Sequence, residues 1–517
     1  MGEAKKKQLQ RIMSALEPMA VDTPGGRIHV QWDHSATATP NAQLAFFAEF
    51  LQTTGLYQSW VDSCPLSYTS PNAPSKMDIL GTWLLGILAG HKRYSHITGL
   101  RGDLVSSQIL GMKKIMSEDA MRRALSRLSD EQSQAWLEPH LKKSTQAALG
   151  TPWILDIDTT IKPLYGKQQG AELGYNPHKP GRPSHALHTY WVANLRLVLD
   201  VVVTPGNEHA AQSARPGLIQ ILSGLQADHR PRLVRGDCGF GNEPFIRELE
   251  EVGQPYLFKL KRTPGVKSLL NRLFSKEGWI EPGPRDQGWS AMEDTLKLHG
   301  WEKDRRVIVL RRRAKESIAI SVRRSSKGKQ GTEPFQDVLF PDEKVQPWEY
   351  VVLVTNSDFP IDSMGQLYRD RADAENGFDE LKNQWGWGGF TTHDIARCQT
   401  SARGVALVYN WWSWFCRAAN PKVRMEAITS RPLLLAGVGR AIKHAGQTTL
   451  YLTPMHAAKK KVVSLVDNIR RALRHAKLVA EQLKSLDPWQ AFIDYVVARI
   501  TKKLPPWMIN DQLEFTT

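Results

Sequence analysis

The pattern of hydrophobic and polar positions divides the chain into helical and strand-rich stretches, and its first third is helical. Residues 1–30 read as a basic amphipathic helix that runs into a turn at the Thr-Pro-Gly-Gly segment 23–26. From about 42 to 145, apolar residues recur with helical spacing in AQLAFFAEFLQTTGL, MDILGTWLLGILAG and SEDAMRRALSRL, which Pro- and Gly-bearing loops separate. We therefore predict a helical N-terminal region over residues 1–148.

A strand pattern begins at 153. The segment WILDIDTT is a short β-branched apolar run interrupted by acidic residues, which is typical of a buried strand whose polar positions have a function. Two β-rich runs follow in 188–206, then a helix in 212–225, and then PRLVRGDCGFG (231–241) as a strand that ends in a Gly-rich turn. This order predicts a mixed sheet, with the first part of a core domain over 149–264.

The second half of the chain repeats both patterns. Strand-like pieces such as RRVIVLRRR and SIAISVRRS, separated by Gly-, Pro- and Lys-rich stretches, predict a β-rich insertion over 265–345. The core domain resumes over 346–420 with the strand YVVLVTNSD and one helix from Met364 to about 384. A helical, basic C-terminal region is predicted over 421–517. The fold class is therefore an α+β multidomain chain whose mixed-sheet core is interrupted by the insertion and flanked by helical regions.

Charge and composition narrow the class of partner. The 517 residues are 41% apolar and carry 68 Lys and Arg against 52 Asp and Glu, a formal net charge of +16. Such an excess favours a polyanionic partner, and nucleic acid is the first candidate. The four cysteines lie too far apart in sequence for a zinc pair and are too few for a disulfide framework, which indicates a reducing compartment. No apolar run is long enough for a membrane span, so we expect a cytoplasmic, nucleoid-associated protein without a membrane partner.

Acidic residues at two strand ends are the first candidates for chemistry. Asp158 lies at the end of the strand 153–160, and Asp237 follows the strand 231–236. Carboxylates are the ligands that Mg²⁺ prefers, and a pair of metal ions can activate a nucleophile and stabilise a leaving oxygen in phosphodiester cleavage. Each aspartate could equally begin a turn. Asp156 is a rival to Asp158, because alternate residues of a strand share a face.

The predicted helix 364–384 adds a third acidic residue with polar neighbours. Arg371, Glu375 and Lys382 follow Tyr368 by three, seven and fourteen positions, so on one continuous helix the four share a stripe. A metal-bound phosphate could use the carboxylate for the metal, the guanidinium for bidentate contact, the ammonium as a charge and the phenol as a donor. The pattern also fits a solvated helix face with an ion pair between Arg371 and Glu375.

The spacing Y-x2-R-x3-E-x6-K resembles the signature of bacterial insertion-sequence transposases of the insertion-sequence 4 superfamily. Asp158-Thr159-Thr160 and Asp237-Cys238-Gly239-Phe240 match that family's two aspartate motifs, which selects Asp158 over Asp156. The resemblance implies a ribonuclease H-like, retroviral-integrase-like core with an insertion before the glutamate helix. It implies that Asp158, Asp237 and Glu375 are catalytic and hold two Mg²⁺ or Mn²⁺ ions. Tyr368, Arg371 and Lys382 would contact DNA.

The same resemblance implies a partner and a reaction. The protein would bind the terminal inverted repeats of its own mobile element as a homodimer, cleave the ends of double-stranded DNA and join the 3′ ends to target DNA. Arg122 and Arg123, on the helix that follows Ser117, are further candidates for DNA contact, although a basic solvated face explains them equally well. Trp289 and Trp301 are candidates for a residue that stacks on a flipped base, with packing as the ordinary alternative. Two rival functions remain: a regulator that binds DNA without cutting it, and a nuclease that does not transfer strands.

Overall fold

The N-terminal part of the computed structural model begins with a hairpin. The structure describes residues 19–32, 37–176, 179–283, 287–313, 348–390, 392–454, 458–482 and 487–501. Strands β1 (Met19–Thr23) and β2 (Gly26–Val30) pair antiparallel, so the helix predicted for residues 1–30 is wrong over 19–30, and residues 1–18 lie outside the described part. Apolar and polar residues alternate in β2, and Gly26 takes the positive φ of 110° that the turn requires.

Helices follow, as the helical pattern over 42–145 predicts. The short strand β3 (Ala38–Thr39) precedes a 3₁₀ helix at Tyr94–Leu100 and six α-helices: α1 (Leu44–Thr53), α2 (Leu56–Asp62), α3 (Lys76–Leu88), α4 (Leu104–Ile109), α5 (Glu118–Leu125) and α6 (Asp130–Gln146). Ser75, Ser117 and Ser129 cap α3, α5 and α6 by accepting a backbone N–H of the first turn. Trp60 and Trp136 stack in the buried centre at 5.6 Å between ring centroids.

A mixed sheet of eight strands carries the middle of the chain. Its strands are β4 (Ile154–Pro163), β5 (Ser184–Val192), β6 (Leu197–Pro205), β7 (Leu233–Gly236), β8 (Tyr256–Lys259), β9 (Ser290–Leu296), β10 (Arg305–Arg313) and β11 (Trp348–Thr355). The spatial order is β6-β5-β4-β7-β8-β11-β10-β9. Strands β4, β7 and β8 are parallel to one another, and the remaining pairings in the sheet are antiparallel. The strands predicted at 153–160, 188–206 and 231–236 are thus confirmed.

Helices cover both faces of the sheet. On one face, Tyr190 of β5 packs on α7 (Ala210–Ser223) and donates to Ala214 O, and Phe258 of β8 packs on Phe245 of α8 (Glu243–Glu251). Helix α9 (Pro264–Phe274) precedes β9. On the opposite face lie α10 (Ile361–Arg369), α11 (Ala372–Gln384) and the long α12 (Ile395–Ala419). Because successive side chains of a strand alternate between faces, β4 sends Asp156 and Asp158 to this second face and Ile157 to the first.

Helix α12 protects the free edge of the sheet. The side-chain amide of Asn410 pairs with both N–H and C=O of Val198 in the outermost strand β6. Gln399 accepts from Val203 N and donates to Val201 O in the same strand. Edge strands with unpaired backbone groups invite pairing with other chains, so these two amides satisfy the edge from within the fold.

The predicted insertion extends the main sheet. Strands β9 and β10 join it through β11, and its first element is the helix α9. The segment SIAISVRRS lies outside the described residues. The strand read at RRVIVLRRR is therefore present as β10, and β9 is an additional strand, both added to the central sheet. The domain boundaries stay a prediction.

The C-terminal region is helical except for one hairpin. It contains α13 (Ala427–Leu434), β12 (Gly439–His444), β13 (Gln447–Leu452), α14 (Lys459–Gln482) and α15 (Pro488–Thr501). The hairpin corrects the expectation of helix at 439–452. Ala445 and Gly446 both have positive φ, as a two-residue hairpin turn requires. No helix in the described part of the chain is long and apolar enough to cross a membrane.

Candidate active site

The two aspartates of β4 share a face of the sheet but differ in their surroundings. Asp156 is fully buried, and its carboxylate accepts two hydrogen bonds from Arg235 of β7, at 2.6 Å from Nε and 2.7 Å from Nη2. Asp158 lies two residues further along the strand, and its side chain retains 21% exposure. The Asp156 carboxylate is therefore fully engaged in a buried ion pair, whereas the Asp158 carboxylate faces the solvent-accessible side of the site.

Arg235 is a positioning residue that the sequence reading missed. Its guanidinium, 1% exposed, also donates to Leu367 O near the end of α10, so that it ties β4, β7 and the helix together. A signal was present in the sequence, because an arginine in the middle of the apolar strand LVRG is almost never buried without a partner. That partner had to be a carboxylate on a neighbouring strand.

Asp237 stands at the turn after β7. Its Oδ1 accepts from Gly239 N at 2.8 Å, which closes the turn, and Phe240 anchors the turn in the core with 1% exposure. Gly236 gives Phe240 its room, because a Cβ there would lie 2.8 Å from that ring. The parallel pairing of β4 and β7 brings the carboxyl ends of both strands to the same edge of the sheet. The charge of Asp237 consequently raises the pKa of Asp158.

The glutamate lies on a helix that is separate from the one carrying the tyrosine. Helix α10 ends at Arg369 and α11 begins at Ala372, so the single helix predicted over 364–384 is wrong, and Tyr368 precedes the break. Glu375 lies in the first turns of α11. Glu380 holds that helix from its buried side by accepting from Trp385 Nε1 and Ala427 N and by pairing with Arg424.

Arg371, at the break between the two helices, connects the acidic residues. One guanidinium nitrogen lies 3.2 Å from Asp158 Oδ1, and another lies 3.2 Å from Glu375 Oε1. The Arg371 side chain is 7% exposed, whereas that of Glu375 is 65% exposed. Arg371 Nε is buried and has no hydrogen-bond partner among the described residues. The ion pair between Arg371 and Glu375 that the sequence allowed is thus present, and Asp158 extends it.

The electrostatics of the site reflect burial and crowded charge. Burial raises the pKa of Asp158 to about 6, against the effect of Arg371, and the charges of Asp237 and Glu375 raise it further. Burial likewise raises the pKa of Tyr368 to about 12, which keeps the phenol a hydrogen-bond donor. Burial lowers the pKa of Lys382, while the negative charge of Asp158 opposes that change. The charges of Asp158, Asp237, Glu375 and Arg371 therefore affect pKa values within the proposed catalytic and phosphate-contact set, which also includes Tyr368 and Lys382.

The donor set suits a hard divalent cation in its chemistry. The charges of Asp237 and Glu375 raise the pKa of Asp158, and three neighbouring carboxylates give the site negative charge that a divalent ion would neutralise. Among the described residues, no three His, Cys, Asp or Glu side chains stand close enough together to hold a metal as placed, and Arg371 lies between Asp158 and Glu375.

Other residues singled out in the sequence lie apart from this cluster. Arg122 pairs with Asp119 at 2.7 Å and with Glu118 on its own helix α5, and Arg123 is exposed on that helix. Trp301 is buried, with Arg305 over its ring at 5.0 Å. Trp289 is half-buried on the α10 face of the sheet, with Arg312 over its ring at 4.7 Å. Packing accounts for both tryptophans, and DNA contact by Arg122 and Arg123 stays a prediction.

Comparison with known proteins identifies a family for the middle of the chain. Residues 149–411, just over half of the chain, match the family model described as "Transposase DDE domain", and domains of this family generally use divalent metal ions. None of the curated proteins compared with the chain matches it. A cryo-EM structure of the piggyBac transposase synaptic complex with hairpin DNA aligns over 92% of this chain and 87% of that chain, with 12% identity and a TM-score of 0.33. A TM-score this low supports no conclusion about the fold or its use.

Proposed function

We propose, from the premise that this chain belongs to the transposase DDE domain family, that it cuts and rejoins DNA at Asp158, Asp237 and Glu375. It binds the terminal inverted repeats of its own mobile element, hydrolyses the phosphodiester bonds at the ends and joins the freed 3′ ends to target DNA. The net charge of +16 supports a DNA partner. Assembly of a homodimer on two DNA ends is part of the proposal.

The observation that carries the proposal is the contact of Arg371 with Asp158 and Glu375. It draws together an aspartate in the middle of β4 and a helix glutamate that are far apart in sequence, next to Asp237. Most buried polar groups of a folded chain have a hydrogen-bond partner. Arg371 keeps a buried Nε–H without a partner in the described part of the chain, and a phosphate oxygen would accept from it.

Each side chain of the site has a role in this reaction. Asp158, Asp237 and Glu375 would hold two Mg²⁺ or Mn²⁺ ions, which when bound supply activation of the attacking water or 3′-hydroxyl and stabilisation of the leaving oxygen. Tyr368 donates its phenolic hydrogen to a phosphate near the scissile bond. Arg371 releases Glu375 and turns towards the phosphate as substrate enters. Lys382 contacts the backbone of the DNA end as a point charge.

The closer assignment to the insertion-sequence 4 superfamily, and with it a bacterial insertion sequence, rests on the spacing of Tyr368, Arg371, Glu375 and Lys382. A ribonuclease H-like core is supported by the strand order β6-β5-β4-β7-β8, in which the first three strands are antiparallel neighbours and the next two run parallel to β4. The first aspartate on β4 and the second after β7 lie at adjacent strands of that order.

Replacement of Glu375 by Gln tests the proposal. We expect Glu375→Gln to lower cleavage of the DNA that flanks the gene by about a hundredfold or more with Mg²⁺, because a metal-bound carboxylate contributes several kcal/mol. Binding of that DNA should persist. Glu302→Gln is the matched control, because Glu302 has a similarly exposed side chain, at 61%, outside the site. Cleavage by Glu375→Gln at the wild-type rate would refute the assignment.

The same assay separates the two rival functions. A regulator that no longer cuts would bind the flanking DNA and give no cleavage with the wild-type chain. A nuclease without strand transfer would give nicks and free ends, but no products joined to a second duplex. The intact set of three carboxylates beside Arg371 favours the transposase over the regulator.

A further inference from the structure

The connection between β4 and β5, residues 164–183, is held in place by backbone contacts on several sides. We call its described residues, 164–176 and 179–183, the 164–183 loop. Leu164 N donates to Pro183 O at its base, and Ser184 N donates to Glu172 O across it. Gln169 N donates to His393 O just before α12, and His185 Nε2 hydrogen-bonds Gln169 O on the other side. A loop tied to its own base and to a neighbouring helix has little conformational entropy left to lose on binding.

Two glycines bring the loop against the end of β6. A Cβ on Gly174 would overlap Gly206 O, and a Cβ on Gly206 would overlap Ser184 O, so backbone packs directly on backbone. Asn176, buried, accepts from Lys179 N at 3.0 Å and orders the return of the chain. The fixed backbone therefore determines which side chains the loop presents to solvent.

Those side chains are mainly aromatic and basic, and Leu173 and Glu172 are exposed beside them. Tyr175 is 79% exposed and Tyr165 is 67% exposed, which is unusual for large rings on so rigid a loop. Arg182 and Lys179 lie over the Tyr165 ring, with the Arg182 guanidinium carbon at 4.8 Å and the Lys179 ammonium at 5.0 Å from its centroid. Lys167 adds a third exposed cation. Stacking on the ring holds two of the cations in place before any partner arrives.

The loop continues the strand that carries the catalytic aspartate. Five residue steps separate Asp158 from Pro163 at the end of β4, and at about 3.3 Å per residue they place the base of the loop about 16 Å from Asp158. Duplex DNA rises about 3.4 Å per base pair, so this separation equals about five base pairs. A duplex whose scissile phosphate lies at Asp158 could therefore meet the loop at that distance.

We propose that the 164–183 loop is a preformed surface that contacts the DNA backbone about five base pairs from the bond that is cut. Phosphate groups bind to three cations, Lys179, Arg182 and Lys167. The exposed rings of Tyr165 and Tyr175 pack against the sugar–phosphate backbone. The exposed part of the loop carries these three cations and one carboxylate, that of Glu172, so its net positive charge complements a phosphate chain. This inference rests on the proposed function, because it takes DNA as the substrate.

A salt titration of DNA binding tests the charges of the loop. The double variant Lys179→Gln/Arg182→Gln and the wild type are compared for binding to a random-sequence duplex over a range of salt concentrations. We expect the slope of log affinity against log salt to become shallower by about 1.8, or about 0.9 for each phosphate that the protein no longer neutralises. Arg247→Gln/Lys267→Gln removes two exposed cations elsewhere and is the matched control, for which the slope should not change.

Photo-crosslinking tests the position of the loop. A benzoylphenylalanine introduced at Tyr175, which is 79% exposed, should crosslink to the flanking DNA about five base pairs from the cleaved bond. One introduced at Tyr451, which is 57% exposed on the β12–β13 hairpin, serves as the comparison. An unchanged salt slope in the double variant, or crosslinks from position 175 to a second copy of the chain instead of DNA, would overturn the loop proposal alone. Failure of the wild type to bind any duplex would overturn the proposed function as well.

Discussion

Disruption of the buried pair between Asp156 and Arg235 should destabilise the fold without removing the chemistry. Asp156→Asn keeps the shape of the side chain and removes its charge, which leaves the Arg235 guanidinium, 1% exposed, without its ionic partner. Breaking one side of a buried ion pair typically costs about 3–5 kcal/mol, because the remaining charge stays desolvated. Since the asparagine carbonyl can still accept one hydrogen bond, and Arg235 keeps Leu367 O, we expect a loss of about 3 kcal/mol.

The double variant Asp156→Leu/Arg235→Met separates the cost of an unpaired charge from the value of the pair itself. Replacement of both partners by apolar side chains of similar volume is often nearly neutral. Leu367 O would then lose its donor, at a cost of about 1–2 kcal/mol. We therefore expect the double variant to be more stable than Asp156→Asn by about 1–2 kcal/mol.

Urea unfolding followed by tryptophan fluorescence measures both effects through the midpoint and slope of the transition. Asp158→Asn is the control, because it changes the neighbouring aspartate on the same face, whose side chain is 21% exposed. It should keep its stability and lose DNA cleavage, whereas Asp156→Asn should lose stability and keep cleavage at temperatures where it is folded. An Asp156→Asn protein that is as stable as the wild type, or one that is well folded but inactive, would refute this division of roles.

Two further predictions concern the site. DNA cleavage should fall as the pH drops below about 6, because burial raises the pKa of Asp158 to about 6 and the protonated carboxyl loses its charge; a rate profile that stays flat down to pH 5 would contradict this. Gly377→Ala places a Cβ 2.5 Å from the Trp191 ring and should push α11 off the sheet. We expect the free energy of unfolding, measured by thermal unfolding, to fall by about 1–3 kcal/mol and DNA cleavage to decrease. The control Gly388→Ala, where a Cβ meets only Lys382 O at 3.9 Å, should change little.

Local patterns in the sequence were sufficient for most elements of the fold. The strand at 153–160, the pair in 188–206, the helix in 212–225 and the strand before Asp237 all formed as predicted, because β-branched alternation and helical spacing act over a few residues. The hairpins at 19–30 and 439–452 also had a local signal, in their Gly-bearing turns. They were missed because flanking basic helical segments dominated the wider window.

The sequence alone established that Asp237 follows a strand and that Tyr368, Arg371, Glu375 and Lys382 keep a fixed spacing. Its placement of Asp158 at a strand end was wrong, because β4 continues to Pro163. It could not decide how those side chains meet. The helix break at Asp370 and Arg371 and the burial of Asp156 on Arg235 arose only in the folded chain. The bridge from Arg371 to both Asp158 and Glu375 did so as well. The physical reason is that two of these pairings join strands and helices far apart in sequence, and a charge can be buried only where tertiary packing supplies its partner.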